Sequence, residues 1–419
     1  MMFTALLCLS LPFSGPSLLD DIEHRAINFF WNESYAANGF TKDRSINSDV
    51  VDTHTVASCA CVGYALIAYP VGVEHKWLSR SDALARTRLT LAHLLTDWPQ
   101  SHGWLYHFVD WRTGDRVWKS EASSVDTSIC LGGILFAQQY WKDPEVTRDA
   151  EAFEKRIDWN WMLTDDGHKP NETHLSMGWH PEDGFISARW SDFNEGMFLY
   201  IQAYGLSNIT NAGWDTIKRP AVNYDGFDII TGGPVFMHEM SQCFYDFRGL
   251  RDRSGYDFSV EERNDLLADR AYCIDNPKKF KGYGADFWGL NACDGPDGYN
   301  AFRAPGWIND DGTVCPTGPL AAMPAIPTEA TSFVEAMRRD YPTAWGRYGF
   351  PDGLNPSRNW IGPDALGLDL GMMLCGVENA RNGFVWKVTS SIPAIKRGFE
   401  RAGLKKVKPD PRLKVEPAG

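Results

Sequence analysis

The sequence has no excess of positive charge and no long apolar segment. Its 54 Asp and Glu residues outnumber its 41 Lys and Arg residues, for a formal net charge of −13. Since the phosphates of nucleic acids attract basic surfaces, this balance disfavours a nucleic-acid partner. No segment reaches 18 uninterrupted apolar residues, whereas a membrane-spanning helix needs about 20. We therefore expect neither a nucleic-acid partner nor a stable membrane association.

Motifs for cofactors, metals and common nucleophilic hydrolases are also absent. The chain has no GxGxxG or GxxxxGK[ST] phosphate loop, no HExxH zinc motif and no GxSxG nucleophile elbow. Its nine cysteines are an odd number without a CxxC pair, so we expect neither a zinc site nor a dense disulfide framework. Cys293 and Cys315, in loop sequence rich in Gly, Pro and Asp, are the pair expected to form a disulfide. We predict no cofactor and no metal.

Aromatic side chains, in contrast, are abundant. The chain has 17 Trp, 15 Tyr and 23 Phe residues, and many of them lie next to Gly, Asp or Asn rather than within apolar runs. Rings in such a setting are typical of platforms that line a cleft for a flat or sugar-like ligand, although most aromatic residues in most proteins pack in the core. The platform candidates are Trp104, Trp190, Trp288, Trp307 and Trp360.

The hydrophobic pattern predicts about eleven helices and few strands. The predicted helices cover residues 18–31, 53–69, 79–97, 125–141, 144–162, 192–204, 234–248, 260–276, 324–339, 363–379 and 390–402, and the predicted strands cover 104–108 and 384–388. No repeat of 20 to 50 residues supports a solenoid. A bundle has short loops, whereas 165–189 and 278–324 are long. We therefore predict an all-α fold, an (α/α)6 barrel (helical toroid) with long loops forming a cleft at one end.

One domain accounts for most of the chain. We expect a single (α/α)6 domain over residues 18–404 and a disordered tail at 405–419, where the sequence is basic and rich in Pro. Residues 1–17 contain a short apolar stretch that resembles the end of a signal peptide but lacks a basic start. This segment favours a secreted or periplasmic location for the protein, and a cytoplasmic location is the alternative.

Acidic residues at predicted helix starts are the candidates for chemistry. Glu195 either completes a capping box with Asp192 or lies in a partly dry aromatic pocket, where burial raises the pKa of a carboxyl group, as a general acid requires. Asp126 either caps the next helix or lies with Glu121 at the floor of a cleft. Asp369, between two glycines, is either a cap or an exposed carboxylate.

Carboxylates, aromatic platforms and amides together are the constellation of carbohydrate chemistry. One carboxyl group protonates the leaving oxygen of a glycosidic bond, and the other activates water or attacks the anomeric carbon. Aromatic faces stack on sugar rings, and Asn, His and Arg side chains bind hydroxyl groups. A glycan-binding protein without catalysis would show the same aromatic residues. The further ligand candidates are His107, Asn194, His238, Glu239, Arg248 and Tyr299.

A series of ordered motifs resembles the glucoamylase-like helical-toroid glycosidases, and most closely glycoside hydrolase family 144, whose members act on β-1,2-glucan. The resemblance runs from about Leu18 to Leu404. The motifs are Phe30-Trp31, Gly39–Arg44, Thr55–Leu66, Val71–Arg80, His102–Asp110, Glu121–Thr127, Trp190–Glu195, His238–Arg248, Phe287–Pro296, Asp311–Thr317, Tyr348–Asp352, Gly367–Gly371 and Glu378-Asn379.

The resemblance implies a reaction as well as a fold. It implies an (α/α)6 barrel that hydrolyses β-1,2-linked glucose chains with inversion at the anomeric carbon and without a metal. By motif, Glu195 is the general-acid candidate, and Asp369 leads for the base side, with Asp126 next. Leu370, where relatives have a polar residue, and the segment 238–244 depart from the family pattern near the expected subsites.

Three alternatives remain open beside an inverting β-1,2-glucan hydrolase. The first is a retaining transglycosylase on the same scaffold, and the second is an exo-acting enzyme that releases a disaccharide. The third is a glycan-binding protein without turnover. Loops that block one end of the cleft would decide between endo and exo action, and residues 278–324 are the loop expected to do so.

Overall fold

The computed structural model describes residues 17–230 and 233–408, and these residues form fifteen α-helices. The helices are α1 (Leu18–Asn32), α2 (Cys59–Glu74), α3 (Arg80–Thr96), α4 (Ser124–Trp141), α5 (Pro144–Arg156), α6 (Trp159–Thr164), α7 (Gly196–Leu206), α8 (Ala212–Thr216), α9 (Phe236–Phe244), α10 (Phe258–Asp275), α11 (Gly318–Ala321), α12 (Pro327–Asp340), α13 (Gly367–Arg381), α14 (Phe384–Thr389) and α15 (Pro393–Ala402). Every predicted helical segment overlaps at least one of them.

Six of these helices form an inner ring. In chain order, α2, α4, α7, α9, α11 and α13 each pack against the next, and α13 packs against α2 to close the ring. Helices α1, α3, α5, α10, α12 and α15 pack outside it. This double ring confirms the predicted all-α (α/α)6 barrel.

The sequences of the helices match their layers. Helix α2 is buried continuously from Cys59 to Gly72, and a helix enclosed on all sides needs small or apolar residues all round. Two glycines bring α2 and α4 into backbone contact, because a Cβ atom on Gly133 would lie 2.0 Å from the carbonyl oxygen of Gly63. The outer helix α5 instead buries one face, with Val146 and Phe153 among its buried residues.

Short strands shape the loops between the helices. In the described residues they are β1 (Arg44–Ile46), β2 (Val56–Ser58), β3 (Gln100–Ser101), β4 (Trp104–Leu105), β5 (Phe108–Asp110), β6 (Ala122–Ser123), β7 (Gly178–His180), β8 (Gly184–Phe185), β9 (Ala221–Tyr224), β10 (Phe227–Ile230), β11 (Leu250–Arg251), β12 (Ala292–Gly295), β13 (Gly298–Ala301), β14 (Leu354–Asn355), β15 (Trp360–Ile361), β16 (Asp364–Leu366) and β17 (Lys405–Lys406). They form one sheet of three strands, β6-β7-β8, and seven antiparallel pairs: β1-β16, β2-β5, β3-β4, β9-β10, β11-β17, β12-β13 and β14-β15. Strands β2, β6 and β16 end directly before α2, α4 and α13, so they hold the starts of three inner helices.

The structure corrects three local predictions. Residues 384–388 lie in helix α14, not in a strand, because a short apolar run fits either element. Cys293 and Cys315 are buried free thiols, so the predicted disulfide is wrong. The predicted tail begins with strand β17, which pairs with β11.

The remaining predictions about the chain ends concern few described residues. The signal-like segment lies outside the described residues except for Ser17, the N-cap of α1. Residues 409–419 also lie outside them. Among the helices of the described residues, none is both long enough and apolar enough to cross a membrane.

Candidate active site

The starts of the inner helices carry the predicted acidic residues to one end of the ring. Glu195 directly precedes α7, and Asp126 and Asp369 are the third residues of α4 and α13. A cavity of about 280 Å³ lies at this end, bordered by residues at the starts of α2, α4 and α13. We call this cavity the cleft. Its wall includes Asp43, Arg44, Ser58, His107, Phe108, Trp118, Asp126, Tyr299 and Leu368.

The Glu195 carboxyl group is only partly satisfied by hydrogen bonds. Within the part of the chain that the structure describes, its buried Oε2 atom accepts no hydrogen bond, and its side chain does not cap α7. Helix α7 begins at Gly196 with Glu195 as its N-cap, so Asp192 is not the cap and the capping-box alternative is excluded. Burial, with a smaller contribution from the negative charge of Asp126, raises the pKa of Glu195 to about 7. A carboxyl group with this pKa holds its proton for much of the time near neutral pH, as a general acid must.

Residues beside Glu195 hold its backbone in place. The side-chain oxygen of Asn194 accepts a hydrogen bond from the backbone N–H of Gly196 at 2.9 Å. The Trp190 indole N–H donates to the Ser124 hydroxyl at 2.8 Å, and its ring is buried. Both side chains therefore position the start of α7. The burial of Trp190 corrects its prediction as an exposed platform, whereas hydroxyl binding by Asn194 stays a prediction.

A histidine joins two predicted carboxylates. The His107 Nδ1 atom lies 3.1 Å from Glu121 Oε1, and its Nε2 atom lies 3.4 Å from Asp126 Oδ1. Burial alone would lower the pKa of His107, but the charges of Asp126 and Glu121 outweigh it and raise that pKa. Burial would raise the pKa of Glu121, yet its hydrogen bond and charge interaction with His107 lower it.

Asp126 combines the two roles that the sequence left open. Ser123 is the N-cap of α4, and its hydroxyl donates to Asp126 Oδ2 at 2.6 Å. Burial raises the pKa of Asp126, with partial compensation by His107 and Ser123. Its other oxygen faces His107 in the cleft wall, so Asp126 belongs both to the helix start and to the site.

Asp369 lies deeper than predicted. Its side chain is 3% exposed, and none of the described residues donates a hydrogen bond to its Oδ2 atom. Burial and the neighbouring Cys315 and Asp352 raise its pKa well above the ordinary range. Asp369 is therefore a buried carboxyl group and not the exposed carboxylate that the flanking glycines suggested.

Two exposed rings flank the cleft. The Trp118 side chain is 71% exposed and packs edge-on against Phe108, with ring centroids 5.2 Å apart. Tyr299, on β13, is 53% exposed. Tyr299 was predicted as a ligand, whereas Trp118 was missed although it lies three residues before Glu121.

The other predicted platforms differ in exposure. Trp104 and Trp288 are fully buried, and the Trp104 indole donates to the Asp158 carbonyl at 3.0 Å. These two rings pack in the core, which corrects their interpretation as sugar platforms. Trp307 is 67% exposed, with the Arg303 guanidinium 5.1 Å from its ring centroid, and Trp360 lies half-buried on β15.

The predicted ligands on and after α9 are not at the cleft surface. His238 is buried, with Nε2 3.3 Å from the Ile230 carbonyl, and burial lowers its pKa to about 4. Glu239 is fully buried and accepts a 3.4 Å hydrogen bond from Asn291. Both predictions of a surface hydroxyl ligand are corrected by this burial.

Arg248 lies at the opposite end of the ring. It lines a separate cavity of about 430 Å³ together with the residues that follow the end of α13. Its guanidinium forms hydrogen bonds of 2.8 and 2.9 Å with Asp246 and lies 4.1 Å from the Trp386 ring centroid. The prediction of Arg248 as a ligand at the cleft is therefore wrong.

Three groups of side chains in the described residues bring potential metal ligands within 4.8 Å of one another. They are Asp20, Glu23 and His75; His107, Glu121 and Asp126; and Cys315, Asp352 and Asp369. Arg381 pairs with both carboxylates of the first group. In the second group the histidine itself contacts both carboxylates. The first two groups therefore satisfy their charges with protein partners.

Residues missed at the cleft include a charged pair. Arg44 donates to Asp43 at 3.1 Å and to Asp294 at 2.8 Å, and both Asp43 and Arg44 line the cleft. They end the motif Gly39–Arg44, which was the available signal. Asp352 likewise ends the motif Tyr348–Asp352, but neither motif indicates by itself which side chain points inward.

Known proteins share this architecture. A family model described as "Putative glucoamylase" matches residues 187–393. The exo β-1,2-glucooligosaccharide sophorohydrolase (non-reducing end) of Parabacteroides distasonis is 25% identical over 93% of this chain, which spans 58% of that relative's length. The endo-β-1,2-glucanase of Chitinophaga pinensis, in complex with sophorotriose and glucose, has a TM-score of 0.85 and 25% identity over 93% of this chain and 98% of its own.

A more distant structure shares the fold alone. The endo-β-1,2-glucanase of Talaromyces funiculosus, in complex with sophorose, has a TM-score of 0.61 and 13% identity over 94% of each chain. Together with the nearer relatives, it shows that the ring of helices persists at low identity. These similarities confirm the resemblance predicted from the ordered motifs.

Proposed function

We propose that this chain, as one of the glucoamylase-like helical-toroid glycosidases, hydrolyses β-1,2-linked glucan with inversion at the anomeric carbon. The observation that carries the proposal is Glu195, a carboxyl group with a buried, unpartnered oxygen and a pKa of about 7. It lies at the same end of the ring as two further carboxyl groups and two exposed rings. The named activities of the relatives from Parabacteroides distasonis and Chitinophaga pinensis support the substrate class.

Each group has a role in this proposal. Glu195 donates its proton to the leaving glycosidic oxygen, and Asp369 supplies the base side, where water attacks the anomeric carbon from the opposite face. Asp126 stays close to Glu195, and its negative charge helps Glu195 to keep its proton. Trp118 and Tyr299 offer ring faces to glucosyl units in the cleft.

Exo action is the second candidate. The relative from Parabacteroides distasonis is named as an exo-acting sophorohydrolase of the non-reducing end. Product analysis on linear β-1,2-glucan, beside β-1,3-, β-1,4- and α-glucans, separates the candidates. Oligomers of mixed length indicate endo action, and a single disaccharide indicates exo action. Turnover of another glycan alone would refute the β-1,2 substrate.

The general-acid role predicts the behaviour of Glu195→Gln. Loss of the proton donor is expected to lower kcat by about 10²- to 10⁴-fold while oligosaccharide binding persists. The matched control is Glu151→Gln. Glu151 lies on the exposed face of α5 and forms an ion pair with Lys155 at 3.6 Å. Near-normal rates in Glu195→Gln would remove Glu195 from the mechanism. The anomeric form of the first product, followed by NMR, distinguishes inversion from retention.

A further inference from the structure

A second buried carboxyl group faces Asp369. Asp352 is 1% exposed and lies in the segment before β14, whereas Asp369 lies in the first turn of α13. A carboxylate oxygen of each and the Sγ atom of Cys315 lie within 4.8 Å of one another. Three separate parts of the chain therefore bring these groups together.

The hydrogen-bond donors around the two carboxyl groups are too few for two carboxylates. Asp352 Oδ2 accepts a hydrogen bond from the backbone N–H of Asp294 at 2.6 Å. Its Oδ1 atom and Asp369 Oδ2 are buried and accept no hydrogen bond from any described residue. Two facing carboxylates without a donor between them repel each other and leave buried oxygens unsatisfied, whereas one proton between them satisfies both.

Positive charge near the pair is already engaged. The positive charge of the Arg44 guanidinium favours the ionised form of Asp352. The same guanidinium donates hydrogen bonds to Asp294 at 2.8 Å and to Asp43 at 3.1 Å. Asp294 itself adds negative charge near Asp352. Arg44 therefore compensates its own carboxylate partners and leaves the Asp352–Asp369 pair with an incomplete counter-charge.

The other titratable groups around Asp369 are neutral or acidic. Cys315 lies on the segment before α11, Cys293 on β12, Glu239 on α9, and Cys61 and Tyr64 on α2. The charges of both carboxyl groups also act on Tyr299 of β13. None of these groups contributes a positive charge, so a proton is the species that reduces the repulsion between the two carboxyl groups.

We propose that Asp352 is a positioning residue for the reaction: it shares one proton with Asp369, so that the pair carries a single negative charge and acts as one acceptor on the base side. The inference rests on the proposed function, because it assigns a partner to the candidate base. Burial, which raises the pKa of both groups above the ordinary range, agrees with a retained proton. Such a pair titrates as a unit.

The pH profile of Asp352→Asn tests the proposal. In the wild type, the ionised carboxylate accepts a hydrogen bond from a carboxylic acid, which is stronger than one from an amide. The acid limb of kcat/KM is therefore expected to move upward by about one pH unit in Asp352→Asn, with KM nearly unchanged. Asp297→Asn, at an exposed ion pair with Arg358, is the control whose limb stays in place.

Two further variants keep the test decisive. Asp352→Glu retains a carboxyl group that can hold the proton, so the acid limb of its kcat/KM profile is expected at the wild-type pH even if kcat falls. This expectation can be tested even if Asp352→Asn does not fold. An acid limb at the wild-type pH in Asp352→Asn, or one that moves equally in Asp352→Glu, would overturn the proposal.

Stability measurements test the pair without any substrate. Asp352→Asn, Asp369→Asn and the double variant form a cycle, read as shifts of the urea unfolding midpoint at several pH values. At neutral pH the double variant is expected to shift by less than the sum of the single variants. Additive shifts at every pH would refute the shared proton, whereas failure of the glycan assays alone would refute the proposed function and leave the pair intact.

Discussion

Glu195 and Asp126 lie close enough for the charge on one to alter the pKa of the other. Burial is the larger cause of the raised pKa of Glu195, and the Asp126 charge adds to it. His107 in turn contacts Asp126 and reduces that charge only in part. At the scale of single residues, the protonation of the candidate acid therefore depends on a neighbour contributed by another helix.

This dependence predicts the pH profile of Asp126→Asn. Removal of the negative charge lowers the pKa of Glu195, so the candidate acid loses its proton at lower pH. The alkaline limb of kcat/KM is expected to move downward by up to about one pH unit, measured on β-1,2-glucan. Asp183→Asn, at an exposed turn between β7 and β8, is the control. An unchanged alkaline limb would separate Asp126 from Glu195.

Helix contacts at the centre of the ring depend on small residues. The carbonyl oxygen of Gly63 on α2 lies 2.0 Å from the position that a Cβ atom on Gly133 of α4 would occupy. Since α4 also carries Asp126, the separation of these two helices affects both the core and the cleft. At the scale of elements, the spacing of the inner ring is set by backbone contact.

Gly133→Ala is therefore expected to destabilise the protein. Alanine normally favours a helix over glycine by about 1 kcal/mol, but the added methyl group must separate two packed backbones, and such overpacking costs about 1–3 kcal/mol. A net loss measured by urea unfolding would agree with backbone contact. Gly284→Ala, where the nearest atom to a new Cβ lies at 3.9 Å, is the control. Greater stability of Gly133→Ala would contradict the close packing of α2 and α4.

The cleft belongs to the whole molecule, because distant parts of the chain form its walls. Trp118 precedes β6, whereas Tyr299 lies on β13 and Leu368 at the start of α13. Closure of the ring by α13 against α2 brings these segments to one cavity. The two exposed rings can therefore contact one ligand only in the complete barrel.

The cleft geometry predicts a binding defect for Trp118→Ala. Loss of an exposed ring face removes stacking worth about 1 kcal/mol, so KM for β-1,2-glucan is expected to rise about 5- to 10-fold with kcat little changed. Ile274→Ala, at an exposed position on the outer helix α10, is the control. A normal KM in Trp118→Ala would exclude this ring from the binding surface.

Local sequence signals were sufficient to predict the helical ring and the main acidic candidates. Periodic apolar residues along segments such as 18–31 and 79–97 are local signals, and they locate helices without knowledge of the fold. The ordered motifs likewise identified Glu195, Asp126 and Asp369. A short apolar run fits a strand as well as a helix, and residues 384–388, predicted as a strand, lie in a helix.

The exposure, burial and pairing of the side chains follow from the three-dimensional arrangement of the chain. Trp104, Trp288 and His238 have neighbours suited to a cleft, yet each is buried, and Arg248 lies at the far end of the ring. Asp352 is separated from Asp369 by 17 positions in the sequence, and the two carboxyl groups interact because the fold brings their side chains together. Burial and electrostatic interaction depend on distances in space, and separation along a chain does not encode them.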